Sequence, residues 1–129
     1  HASKEFDTVV EKVKFCVKYK REKNLDLTIG LQMVLTPKYV AEVVLLAKLG
    51  KELEVDYFQV KHCSDTVEND LGIFERLDDY RKFEPILKAA ESYGNVDYNV
   101  IIKWDKITNE GHRDYDQCLG APFLLYTGG

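Results

Sequence analysis

Polar side chains that could bind a ligand stand near the carboxyl ends of three predicted β-strands in this 129-residue chain. The four candidates on one predicted sheet face are Gln32, Gln59, Lys61 and Lys103. Ligand sites of parallel α/β folds lie at that end of the strands, so the four are predicted to share a site. A lysine there loses hydration unless it meets a carboxylate, a phosphate or water, and Asp65 and Asp105 are near enough in sequence to be partners. The alternative is that both lysines reach solvent at an open edge.

The segment from His62 to Asp65 contains the residue types of a nucleophilic site. A cysteine nucleophile needs a base within hydrogen-bonding reach, and adjacent residues of a strand point to opposite faces, so His62 cannot activate Cys63. His112 could do so only if the fold brought it there. The cysteines lack the close spacing of a structural zinc site. Loops of the GxGxxG and GxxxxGK kinds, which bind dinucleotides and triphosphates, are absent from the sequence.

Apolar periodicity supplies the elements that position these residues. It predicts helices over 7–21, 36–53 and 78–93, strands over 25–35, 55–61 and 97–104, and a functional or flexible loop over 62–76. Asp7 is the predicted N-cap of the first helix, whose buried stripe includes Cys16 as a small core residue. Thr36 and Pro37 are predicted to begin the second helix, and Pro85 to kink or restart the third.

Alternating helices and strands require parallel strands joined by helical crossovers. Each predicted strand has one apolar face and one more polar face, whereas an all-parallel sheet covered on both faces is apolar throughout. The predicted fold class is therefore α/β: a partial, open TIM-type barrel of three parallel strands with crossover helices over 4–104, followed by an irregular C-terminal tail over 105–129. A doubly wound sheet of the flavodoxin kind is the alternative. Open sheet edges predict a homo-oligomer, and Trp104 is predicted to be buried.

Charge and composition exclude several classes of protein. Eighteen Lys and Arg against 22 Asp and Glu give a net charge of −4, which argues against a nucleic-acid partner. No apolar run is long enough to span a membrane, so no membrane partner is expected. The three cysteines are odd in number and widely spaced, which favours the cytoplasm over a secreted disulfide framework. Residues 1–3 are expected to be foreign to the domain, and the chain to be cut from a longer protein.

Three segments resemble radical S-adenosylmethionine enzymes. Residues 6–21 together with NLDLTIGLQMVLTP at 24–37 resemble the fourth helix and fifth strand of that family. LAKLGKELEVDYFQVK at 46–61 is similar to its next helix and sixth strand. YDQCLGAPFLLY at 115–126 resembles the start of the cysteine-rich extension of the SPASM kind, whose first cysteine binds an auxiliary iron–sulfur cluster. The CxxxCxxC loop that holds the family's catalytic cluster does not occur in this sequence.

The resemblance implies a parent enzyme that cleaves S-adenosylmethionine reductively with [4Fe-4S] clusters, and a chain that alone is a catalytically incomplete fragment. The residue roles it implies are cofactor binding by Gln32 and Gln59, substrate-side positions for Lys61, Lys103 and Asp65, and an auxiliary-cluster ligand, in the parent only, in Cys118. It leaves the parent's substrate unknown. Two hypotheses stand beside it: a stand-alone α/β binding or interaction module without catalytic activity, and a small enzyme that uses Cys63 or Lys61 without a metal cluster.

Overall fold

The structure, a computed structural model, describes residues 2–62 and 80–105. In chain order its elements are α1 (Ala2–Glu22), β1 (Gly30–Leu35), a 3₁₀ turn (Pro37–Tyr39), α2 (Glu42–Glu52), β2 (Tyr57–His62), α3 (Glu84–Glu91) and β3 (Asn99–Ile102). The three strands form one open sheet in the order β1-β2-β3, and both strand pairs are parallel. The predicted α/β class with three parallel strands is confirmed.

The register of the sheet is continuous over both strand pairs. Gly30 lies beside Tyr57, and the pairing runs to Leu35 beside His62. On the other side of β2, Tyr57 lies beside Asn99. Because side chains alternate along a strand, residues in register on neighbouring strands form rows across the same face.

One face of the sheet forms the hydrophobic core with α2 and α3. The fully or almost fully buried core side chains of the strands are Met33, Leu35, Phe58, Val60 and Ile102. Those of the two helices are Val43, Ala47, Leu87 and Ala90. Helix α2 packs on β1 and β2, α3 packs on β3, and the two helices contact each other, so both lie on the same side of the sheet. The opposite face is not covered by either helix.

Two buried tyrosines tie the layers together. The Tyr80 hydroxyl donates to the carbonyl of Leu35 at 3.1 Å, at the end of β1. The Tyr98 hydroxyl donates to the carbonyl of Ala47 in α2 at 2.8 Å. A Cβ on Gly50 would lie 2.4 Å from that hydroxyl, so glycine is what lets the ring reach the helix backbone. Burial raises the pKa of Tyr98 to about 12.

Helix α1 and strand β1 differ in extent from their predictions. Helix α1 begins at Ala2, so Asp7 lies inside it and the predicted N-cap is wrong. Strand β1 begins at Gly30 rather than near residue 25. Asn24, in the turn after α1, has a φ of 48°, and the Asp56 N–H donates to the Ile29 carbonyl where β2 approaches. The apolar alternation continues through 25–29, but a strand forms only where a partner strand lies beside it.

The two proline-marked helix starts are only partly as predicted. Thr36 is extended and precedes Pro37, yet its hydroxyl makes no capping hydrogen bond, and a 3₁₀ turn separates it from α2. Pro85 lies in the first turn of α3, where its missing N–H costs nothing, so it restarts the helix rather than kinking it.

The predicted burial of Cys16 and Trp104 needs correction. Cys16 is exposed, because α1 turns Val17 toward the core and leaves Cys16 on its flank. Trp104 is half-buried, and its indole N–H donates to the Glu91 carboxylate at 2.7 Å. β3 ends at Ile102, so Trp104 is not part of the strand alternation.

No helix within residues 2–62 and 80–105 combines the length and apolar character needed to cross a membrane.

Candidate functional site

The face of the sheet opposite α2 and α3, called here the helix-free face because neither of these two helices covers it, carries the four polar candidates Gln32, Gln59, Lys61 and Lys103. Its first row is Gly30, Tyr57 and Asn99, and its second row is Gln32, Gln59 and Ile101. Its third row is Val34, Lys61 and Lys103, placed by the same alternation. The four polar candidates predicted to share a face therefore do so.

The first row is shaped by a tyrosine lying over a glycine. A Cβ on Gly30 would fall 2.2 to 2.4 Å from three ring carbons of Tyr57, so the ring lies directly over the position that a side chain would fill. A glycine inside a strand often marks such a close approach. The half-buried ring thereby presents an aromatic surface at the amino end of the helix-free face.

Two glutamine side chains stand side by side in the second row. Gln32 is paired in register with Gln59. Gln32 is exposed and Gln59 is half-buried. Neighbouring strands are about 4.8 Å apart, so one small ligand can reach both carboxamides. Each carboxamide offers a carbonyl acceptor and two N–H donors, which suits a ligand with hydroxyl, amino and carboxylate groups.

Two lysines form the carboxyl-terminal row with Val34. Val60 pairs with Ile102, and the Lys103 N–H donates to the Val60 carbonyl at 3.2 Å, so the pairing continues one residue beyond β3. Lys61 and Lys103 are therefore neighbours on adjacent strands, and both are half-buried. Like charges directly opposite each other on a sheet repel, so this row is an electropositive point of the helix-free face.

An ion pair fixes the amino end of the sheet beneath α1. The Asp56 carboxylate accepts hydrogen bonds from the Lys20 ammonium, at 2.7 Å to each oxygen, and from the Ile29 N–H at 2.6 Å. Partial burial acts to raise the pKa of Asp56, but the hydrogen bonds from Ile29 and Lys20 outweigh it, and the pKa lies below its ordinary value. This contact joins α1, the approach to β1 and the start of β2, and so holds the register of the face.

Some predicted site residues lie outside the described residues. These are Asp65, Cys63, His112 and Cys118. Asp105 is described and exposed, in a helical turn after β3. The predicted loop over 62–76 also lies outside the described residues, apart from His62 at the end of β2.

Sequence reasoning missed the role of Tyr57 and Gly30. The available signal was the single glycine in the predicted strand 25–35 together with a tyrosine at the start of the next strand. It also missed Thr36 as an unsatisfied group. Its hydroxyl oxygen is buried at the carboxyl end of β1 and has no hydrogen-bond partner among the described residues.

An iron–sulfur cluster does not fit the residues that the structure describes. Such a cluster is held by cysteine thiolates, commonly four. The described ranges contain one free cysteine, Cys16, which is exposed on α1. The same ranges contain no group of three or more His, Cys, Asp or Glu side chains that could hold a metal ion.

Comparisons with protein-family models, with curated proteins and with solved structures find no match for this chain.

Proposed function

We propose that this chain is the cofactor- and substrate-lining part of a (βα) barrel of the radical S-adenosylmethionine type. The support is architectural. Consecutive strands are neighbours in the sheet, they are parallel, and both crossover helices lie on one side. That arrangement is what one arc of a barrel wall would have, in which the helices would lie outside and the helix-free face would line the lumen. A doubly wound sheet would place helices on both faces.

The observation that carries the proposal is the pair Gln32 and Gln59 beside the Tyr57 ring. The two carboxamides would hydrogen-bond the ribose hydroxyls or the amino-acid end of S-adenosylmethionine, because each can donate and accept. The Tyr57 ring would stack on a planar base, a contact that needs no particular base edge. These residues would bind and orient the cofactor.

The radical chemistry itself is not assigned to the described residues. Residues 2–62 and 80–105 do not contain the cysteines that would hold the iron–sulfur cluster of the resembled family. We propose that the activity belongs to a longer parent protein and that this chain supplies binding surface. The cytoplasm is the proposed location, because a reducing compartment suits unpaired cysteines.

Titration with S-adenosylmethionine, followed by the side-chain amide signals of the ¹⁵N-labelled protein, tests this function. The Gln32 and Gln59 carboxamide signals should shift together and saturate. Gln32→Ala and Gln59→Ala should each weaken binding about fivefold, the factor that a net hydrogen bond of about 1 kcal/mol represents. Lys48→Ala, an exposed change on the far side of α2, is the control and should bind normally. Absence of saturable shifts, or equal weakening by Lys48→Ala, would contradict the proposal.

A second candidate, a homo-oligomeric interaction module, is favoured by the exposed apolar side of α1. Phe15 is 66% exposed and its ring stacks on that of Tyr19, while Val9 is 55% exposed. Exposed apolar patches of this kind often bury against a second copy. Sedimentation of the same samples separates the candidates. A concentration-dependent dimer that Phe15→Ser converts to monomer, without S-adenosylmethionine binding, would favour the interaction module.

A further inference from the structure

The third row of the helix-free face places two ammonium groups next to each other. Lys61 lies in β2 and Lys103 directly follows the adjacent parallel strand β3, each one position beyond the pair Val60 and Ile102. Their side chains project from the same face because each follows a buried residue in its strand. Neighbouring strands are about 4.8 Å apart, so the two ammonium groups can converge on one small anion.

Among the residues that the structure describes, these two lysines have no carboxylate partner, whereas several other lysines do. Ion pairs link Lys20 to Asp56 and Lys88 to Glu84. The ammonium group of neither Lys61 nor Lys103 has a hydrogen bond or an ion pair within residues 2–62 and 80–105.

The described residues of the helix-free face supply no negative charge. The described members of its three rows are Gly30, Gln32, Val34, Tyr57, Gln59, Lys61, Asn99, Ile101 and Lys103. None of them is acidic. Two like charges are therefore held side by side on a half-buried surface, an arrangement that repulsion disfavours and that an anion would relieve.

We propose that Lys61 and Lys103 bind the phosphate group of a small phosphate monoester, with the Gln59 carboxamide as an additional donor. The charge matches, since two ammonium groups face a group that carries close to two negative charges at neutral pH. Lysine binds phosphate as a point charge, and phosphate concentrates its negative charge on one group, whereas the two charges of a dicarboxylate are separated in space. A polyanion such as nucleic acid is disfavoured by the net charge of −4.

This inference rests on the proposed function in one respect, that the helix-free face binds a small ligand. The lysine row is proposed to bind the phosphate group of the substrate, whereas the glutamine row is proposed to bind the cofactor. The two parts can fail independently. S-adenosylmethionine carries no phosphate, so its binding tests the glutamine row and phosphate binding tests the lysine row.

The experiment is a titration of the ¹⁵N-labelled protein with inorganic phosphate, followed by the lysine ammonium signals and the backbone amides of β2 and β3. The Lys61 and Lys103 signals should shift and saturate together. Lys61→Met and Lys103→Met should each weaken binding about tenfold, equivalent to about 1.4 kcal/mol. Lys48→Met, which removes the same charge from an exposed helix position, is the matched control and should change affinity less than about twofold. Far-UV circular dichroism confirms that each variant is folded.

Further titrations test which kind of anion the two lysines bind. Succinate, a dicarboxylate of similar charge, should bind at least about tenfold more weakly than phosphate. Lys61→Arg should retain most of the phosphate affinity, because the positive charge is kept. The proposal is overturned by unsaturable shifts, by equal loss of affinity in Lys48→Met, or by tighter binding of succinate. Phosphate binding without S-adenosylmethionine binding would uphold it while removing the proposed cofactor role.

Discussion

Replacing Gly30 by alanine tests the packing that shapes the amino end of the helix-free face. The new Cβ would lie 2.2 to 2.4 Å from three ring carbons of Tyr57, whereas ordinary van der Waals contact begins near 3.4 Å. The ring must therefore move by about 1 Å, because the strand backbone is held in register on its other side. The Gly30 backbone has no positive φ, so alanine itself is not strained there.

Two opposing contributions determine how much Gly30→Ala changes the free energy of unfolding. Alanine is favoured over glycine in a strand by about 0.5–1 kcal/mol, because glycine loses more backbone entropy on folding. Displacing the Tyr57 ring returns about 40–60 Å² of apolar surface to water, which costs about 1–1.5 kcal/mol. Gly30→Ala should therefore lower the free energy of unfolding by about 0.5 kcal/mol. In a Tyr57→Ala background the same change should raise it by about 0.5–1 kcal/mol, since no ring remains to be displaced.

Urea unfolding of the two single variants, the double variant and the parent gives the coupling energy, expected at about 1–1.5 kcal/mol. The control cycle combines Gly30→Ala with Tyr93→Ala, a half-buried tyrosine after α3, and should show additivity. A Gly30–Tyr57 coupling below about 0.3 kcal/mol, the usual scatter of independent sites, would refute the contact. The same displacement should weaken S-adenosylmethionine binding if the ring stacks on its base.

Two predictions concern pH. Because the pKa of Tyr98 is raised to about 12 from 10.0, its contribution to stability is complete below pH 10 and is lost as pH rises toward 12. Tyr98→Phe should lower the free energy of unfolding by about 1 kcal/mol at neutral pH and should reduce its decline between pH 10 and 12. Urea unfolding at a series of pH values measures both effects, and an unchanged decline would contradict the role of Tyr98. Because the pKa of Asp56 is lowered from 3.8, its contribution is present above pH 4 and is lost as pH falls through the folded-state value. Asp56→Asn should lower the free energy of unfolding by about 2 kcal/mol at pH 7 and should make that free energy less dependent on pH below pH 4. Asp26→Asn, at an exposed position, is the control and should change neither.

The alternation of polar and apolar residues was sufficient to predict the sheet and its two faces. Leu31, Met33 and Leu35 point one way in any strand that contains them, and Gln32 must point the other. The order of helix and strand segments likewise restricted the strands to a parallel arrangement, because consecutive strands joined by a helix run in the same direction. Gln32 and Gln59 could therefore be placed on one face before any coordinates were known.

The limits of the elements and the close contacts of the site followed from tertiary structure. Leu25 and Leu27 continue the alternation yet lie outside β1, because no strand in the described part of the chain is paired with them. Cys16 matches the helical periodicity but is exposed, because α1 buries Val17 in the core and leaves Cys16 in solvent. Neither the start of β1 nor the exposure of Cys16 can be predicted from the neighbouring sequence, because each depends on contacts with residues distant in the chain.

The sequence by itself determined which side chains share a surface, because that is set by the repeat of the backbone, a local property. The tertiary structure decided that Gln32 adjoins Gln59, that the Tyr57 ring lies over Gly30, and that the pairing of β2 and β3 brings Lys61 beside Lys103. The physical reason is that strand register is settled between segments far apart in the chain. A shift of one residue would exchange the faces, and hydrogen bonds, ring contacts and charge repulsion all depend on distances of a few ångströms.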